Sequence, residues 1–249
     1  MAPYREVQLR EIADPPTLKI LDQWRSLSTQ TLGRPLEVVT ENRRRYPRPS
    51  NFDGEANFAR PAGYQRQVVL SVWLDKFPDY NPVLLTHEVG HWILNFSGFR
   101  GLLGQPHGTL AEVLLNSMTH HPPLYALQRS VGIDPQTEIA SRCDHDIEIC
   151  SRSGKEDPLA SALLVSDDLL NCNWKKRRRL EYVLRKHRPK TMALVTTITD
   201  TVAAYDLSDP QANLAFSKAL VKKLKMPEQW IEHDNVQATK DLILEIEGR

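Results

Sequence analysis

Asn81-Pro82-Val83-Leu84-Leu85-Thr86-His87-Glu88-Val89-Gly90-His91-Trp92-Ile93-Leu94-Asn95-Phe96 decides how this chain reads. Asn81 can cap the free backbone donors of a helix start. Pro82 suits the first helical position, where its missing N–H is not needed. Leu85, Val89, Trp92, Ile93 and Phe96 then recur at helical spacing and make one apolar stripe. At about 100° per residue, His87 and His91 fall on nearly the opposite side. Ser97-Gly98 supplies the stop. The pattern predicts a two-faced helix: a core face, and a face that carries two imidazoles one turn apart beside the carboxylate of Glu88. Such a set can hold a zinc ion and take a proton from water.

The segment resembles the active-site helix of the zincin metallopeptidases. Val89, Gly90, Trp92 and Ile93 match that family's extended pattern, and Leu84 stands where Val or Thr is commoner. The resemblance covers roughly residues 65 to 125. It implies a zinc ion with three protein ligands and an open position for water. It also implies that Glu88 acts as general base and then general acid in hydrolysis of a peptide bond. In the gluzincin branch the third ligand is a glutamate on a later helix, about twenty residues on, with an Asp one turn beyond it. Glu112 has that spacing from His91, and Asn116 stands in the place of the Asp, keeping a hydrogen-bonding group without the charge. A metzincin is excluded, because Leu94 occupies a position that pattern reserves for Gly. The chain is also similar to intracellular ImmA/IrrE-type metallopeptidase domains in its His-Glu-x-x-His, its downstream Glu and its lack of an export signal. Zincins add a Tyr or His that stabilises the oxyanion, and Tyr125, His107 and His121 are within sequence reach.

The residues themselves leave the third ligand open. Thr109 to His120 reads as a helix with Leu110, Ala111, Leu114, Leu115 and Met118 on one side and Glu112, Asn116 and His120 on the other. Glu112 leads, although Thr109-x-x-Glu112 is also a capping box. His120 is the rival. It lies about 12 Å along the helix from Glu112, so the two cannot share one ion. His121 points to the apolar side and precedes Pro122, and His107 has no helix to fix it.

A chain of 249 residues can build a full core, and 41% hydrophobic with 25% charged residues is ordinary for a globular protein. The net charge of +1 gives no whole-molecule attraction to nucleic acid or membrane. No apolar run approaches the roughly 20 residues a membrane helix needs, and Met1 to Glu6 has no apolar leader. Three cysteines, an odd number, suit a reducing compartment, so the expected location is the cytoplasm. Cys143, His145, Cys150 and Cys172 fit no zinc spacing well and read as ordinary thiols.

The expected fold class is α+β. Residues 1–150 form a zincin-like domain with a small mixed sheet and the metal helix. Residues 151–249 form a mostly helical C-terminal region, separate or packed on the first as one unit. The earlier elements are a helix over 15–32, a short strand from Leu36 to Thr40 and a clear strand from Gln67 to Leu74. That last strand precedes the metal helix, where zincins offer an edge to extended substrate. An arginine-bearing loop, Arg43 to Arg48, lies between the strands. Helices follow from Tyr125 to Val131, from Pro135 to Cys150, and near 158–171, 177–187, 190–205, 210–224 and 235–247, with a linker at Ser151 to Pro158.

Lys175, Lys176, Arg177, Arg178 and Arg179, followed by Arg185, Lys186, Arg188 and Lys190, oppose only Glu181. This stretch reads either as a solvated helix face or as a dock for nucleic acid or an acidic protein. Three functions are therefore in play. The first is a zinc peptidase acting on a peptide or protein substrate. The second is a helical binding module with a non-catalytic zinc, and the third a regulatory protease activated by a partner. None requires a membrane.

Overall fold

The structure is a computed structural model that describes residues 6–42, 54–59, 68–74, 81–105, 108–152, 157–226 and 229–247. Helices α1 (Glu6–Ile12) and α2 (Pro15–Leu32) lead into strands β1 (Val38–Asn42), β2 (Gly54–Ala59) and β3 (Val69–Leu74). Helix α3 (Pro82–Phe96), strand β4 (Gly101–Gln105) and the long helix α4 (Leu110–Val131) follow. The chain continues through α5 (Gln136–Ser151), α6 (Pro158–Asn171), α7 (Trp174–His187), α8 (Pro189–Val202), α9 (Pro210–Lys223), β5 (Gln229–His233) and α10 (Asn235–Glu247). It is a mostly helical α+β arrangement with few strands.

The start signals act as the sequence suggests. Asn81 Oδ1 accepts the Val83 N–H at 2.9 Å, with Pro82 at the first helical position. Asp14, Asp157, Asn173 and Asp209 cap α2, α6, α7 and α9 in the same way. Gly33 ends α2 in the left-handed conformation at φ 74°, with its N–H on the Thr29 carbonyl. The sequence reading missed α1, β2, β4 and β5. Strand β4 is Gly-Leu-Leu-Gly-Gln and carries little strand propensity. The loop from Arg43 to Arg48 lies outside the described residues, as do 153–156 of the expected linker.

The chain divides into two compact units: Met1–Gly98 with Ala126–Asp134 and Asp234–Arg249, and Phe99–Tyr125 with Pro135–His233. In the first, the sheet order is β1-β3-β2, with β1 parallel and β2 antiparallel to β3. The sheet is mixed, as expected, but β3 is its central strand. The edges belong to β1 and β2, so β3 cannot be the strand that pairs with an extended substrate. Val38, Leu70 and Val72 face a core shared with Trp24 of α2 and Leu85, Val89 and Ile93 of α3. Val39 and Val69 pack on the other side, following the two-residue period of strands. Trp24 donates to the Leu36 carbonyl at 2.9 Å and meets Phe96 edge-on at 5.0 Å between ring centroids.

In the second unit a core of Leu114, Leu115 and Met118 from α4, Leu163 and Leu169 from α6, Leu184 from α7 and Phe216 from α9 is ringed by helices. Strand β4 pairs antiparallel with β5, from Gly101 opposite His233 to Gln105 opposite Gln229. Among the described residues no helix is long and apolar enough to cross a membrane.

Helix α4 runs unbroken through Pro122 and Pro123, where a proline ordinarily kinks or ends a helix. Pro123 lacks the N–H that would bond the Thr119 carbonyl four residues earlier. Asn213 of α9 takes that carbonyl instead, donating from Nδ2 at 2.7 Å while also donating to the Leu207 carbonyl at 3.1 Å. Asn213 is fully buried, so no water can replace it. Asn213→Ala should lower stability by about 1–3 kcal/mol, read as a fall in the urea midpoint at an unchanged m-value.

Candidate metal centre

Helix α3 presents its two histidines as its periodicity predicts. Leu85, Val89, Ile93 and Phe96 are buried in the core and Trp92 packs against it half-buried, while His87 is buried and His91 half-buried on another face. The two Nε2 atoms lie 3.2 Å apart, with the rings nearly perpendicular at 81°. Two imidazole nitrogens at this separation share either a proton or a cation. With Zn–N bonds of about 2.0–2.1 Å, a tetrahedral ion needs ligand atoms about 3.3 Å apart, and the pair already has that spacing. Glu88 follows His87 on the same helix and is half-buried.

The third imidazole is that of His121. The ligand atoms of His87, His91 and His121 all lie within 4.8 Å of one another, and among the described residues they form the one group of this kind that can hold a metal ion. His121 is carried by α4. The last turns of that helix are fixed by Gln128, whose Nε2 donates to the Val83 carbonyl at 2.8 Å and to Thr86 Oγ1 at 3.0 Å, both on α3. His121 Nδ1 sits 2.5 Å from Asp167 Oδ2. The Nδ1–H therefore donates to the carboxylate, and the Nε2 lone pair is left to coordinate a metal.

Behind Asp167 lies a polar network within α4, α5 and α6. Asn171 donates to Asp167 Oδ1 at 3.0 Å. Arg142 Nη2 reaches Asp168 at 3.0 Å and Asp167 at 3.5 Å, and donates to the Tyr125 hydroxyl at 2.7 Å. Burial, with Asp167 beside it, pushes the Tyr125 phenol well above its ordinary range, so it remains a neutral hydroxyl held by Arg142. Its ring leans on His121, 5.3 Å between centroids. Burial and the neighbouring Asp168 push the Asp146 carboxyl up to about 8. Asp168 is also raised by burial, but Arg142 opposes that shift. The proton of this acid pair therefore rests on Asp146.

The other sequence candidates have different work. Glu112 is buried, but its Oε2 accepts the N–H groups of Gly104 at 2.8 Å and Gly108 at 3.3 Å. Thr109 Oγ1 accepts the Glu112 N–H at 3.2 Å, which is half of the capping box. Glu112 thus ties β4 to the start of α4. Asn116 is also turned to β4, where it accepts from the Leu102 N–H and donates to the Leu102 carbonyl, each at 2.9 Å. Gly101 permits this approach, since a Cβ there would come within 3.1 Å of Asn116 Oδ1. His120 is buried edge-on to Phe99, and burial lowers its pKa to about 4, so it is a neutral packed side chain at pH 7. His107 lies outside the described residues. Cys143 hydrogen-bonds Cys172, and His145 is exposed.

The sequence places His121 on the apolar side of α4, and His121 is buried there. The apolar side is where Asp167 waits, 46 residues away. The available signal was Asp167-Asp168 inside the core stripe of α6, where Leu163, Val165 and Leu169 are buried; two acids in such a stripe need partners. Comparison with protein-family models, with curated proteins and with solved structures finds no match to this chain.

Asp146 carries a pH signature. Between about pH 4 and pH 8 the folded state keeps a proton that the unfolded state has released, so this group's contribution to stability falls as pH rises through that window. Asp146→Asn is neutral at every pH. Melting temperatures measured from pH 4.5 to 8.5 should fall less steeply for the variant than for the wild type, and the variant should be the more stable protein at pH 8.

Proposed function

We propose that this chain is a zinc-dependent peptidase in which His87, His91 and His121 hold the metal and Glu88 handles the proton. The observation that carries this reading is the 3.2 Å approach of His87 Nε2 to His91 Nε2 on a helix that also bears Glu88. The hydrogen bond from His121 to Asp167 supports it, because a carboxylate behind an imidazole fixes the tautomer and raises ligand basicity. Three imidazoles suit zinc better than calcium or magnesium, which prefer oxygen donors. The reading keeps the zincin resemblance of α3 and departs from the gluzincin branch at the third ligand.

A zinc ion at this place would act as a Lewis acid toward a carbonyl oxygen and make a water acidic near neutral pH. The chain's own groups do the rest. The Glu88 carboxylate takes a proton from the water as its oxygen attacks the carbonyl carbon, then gives that proton to the amine nitrogen as the C–N bond breaks. Asp167 keeps His121 in one tautomer throughout, and Arg142 holds Asp167 in place.

Purified protein should contain about one zinc per chain and should cleave members of a denatured protein panel, with cleavage lost on addition of chelator. Glu88→Gln should keep the zinc and lose about 10²–10⁴-fold in rate. His87→Ala and His121→Ala should lose the metal, and Asp167→Asn should weaken metal binding by about 10–100-fold. Glu112→Gln should retain zinc. Full zinc content in the His121 variant would return the third position to Glu112 or His120, and chelator-resistant cleavage would remove the metal from the reaction.

A further inference from the structure

The outward face of α7 has no part in the metal centre. Leu180, Val183 and Leu184 turn inward and are buried, so α7 is anchored by one narrow stripe. At about 100° per residue, Trp174, Arg178, Tyr182 and Arg185 fall in a single arc on the other side, with Lys175, Arg179 and Lys186 at its margin. Trp174 is 62% exposed and Tyr182 63% exposed. They stand eight residues apart, about 12 Å along the helix. Lys175 Nζ and the Arg178 guanidinium each lie 5.9 Å from the centre of the Trp174 ring.

Charge is concentrated here. Lys176 pairs with Asp144, and Arg177 and Arg185 share Glu181. Lys175, Arg178, Arg179 and Lys186 have no acidic partner among the described residues. From Trp174 to Lys190 there are nine Lys and Arg against one Glu, in a chain whose net charge is +1. A merely solvated helix face would have no use for a tryptophan and a tyrosine in water at the centre of that field.

We propose that this face of α7 binds single-stranded nucleic acid, with Trp174 and Tyr182 as stacking platforms and Arg178, Arg179, Lys175 and Lys186 as phosphate contacts. Phosphates answer the unpaired cations, and unstacked bases answer the two exposed rings. A duplex answers only the first, because its bases are already stacked on each other. An anionic bilayer would ask for a broad apolar face to insert, and apart from Trp174 and Tyr182 the apolar side chains Leu180, Val183 and Leu184 of α7 are turned into the core. The proposal is independent of the zinc reading.

The test is fluorescence anisotropy of a labelled 20-nucleotide oligo-dT with the full-length protein at 50 and 200 mM salt. Binding should weaken at least tenfold between the two salts and should quench tryptophan emission. Trp174→Ala and Tyr182→Ala should each weaken binding about 5- to 150-fold. The triple variant Arg178→Ala, Arg179→Ala, Lys186→Ala should flatten the salt dependence. All these side chains are exposed, so melting temperatures should stay within a few degrees of wild type and confirm folding. Binding should survive chelator, which separates this result from any failure of the zinc reading. The proposal is overturned if oligo-dT does not bind, if a duplex binds equally well and Trp174→Ala changes nothing, or if polyglutamate or phosphatidylserine vesicles bind where oligo-dT does not.

Discussion

One hydrogen bond sets the course of the longest helix in this protein. By taking the Thr119 carbonyl, Asn213 satisfies the buried acceptor that Pro123 cannot serve as α4 passes through two consecutive prolines. His121 sits immediately before those prolines. Were α4 to break there, as its local sequence invites, His121 would lose the fixed direction that aims its ring. The other end of the same helix is held by Gln128 on the Val83 carbonyl and Thr86. Two buried amides therefore position one imidazole. A side-chain amide suits this work because it donates without bringing a charge into the core.

The same logic of satisfying buried groups explains the acid cluster of α5 and α6. Asp146, Asp167 and Asp168 are all buried, a costly set unless their charge is answered. Arg142 answers Asp167 and Asp168, and Asp146 escapes by keeping its proton. What emerges on the far side is the Asp167 carboxylate, aimed at His121 Nδ1. An apolar replacement could fill that volume, but it could not select the tautomer of the imidazole.

The residues the resemblance pointed to illustrate how the same side chains can serve a fold or a reaction. Glu112 and Asn116 lie at ligand spacing and on one face of α4, yet that face meets the backbone of β4 and its following loop. Backbone N–H groups there need acceptors, and Glu112 and Asn116 provide them. Spacing along a helix determines which residues share a face. It does not say what the face meets.

Local periodicity was enough to place α2, α3, α6 and β3, and with them the histidine pair and Glu88, because caps, prolines and an apolar stripe act within a few residues of one another. The short or glycine-rich elements α1, β2, β4 and β5 escaped it, since pairing partners rather than propensity hold such strands. The gathering of His121 with His87 and His91 was also out of its reach. It depends on Asp167, Asn213 and the backbone of β4, which approach α4 from elsewhere in the chain. The amino-acid sequence by itself determined a helix that bears two imidazoles and an acid. Only tertiary structure decided which third side chain joins them, because burial and hydrogen-bond satisfaction are settled between elements rather than along them.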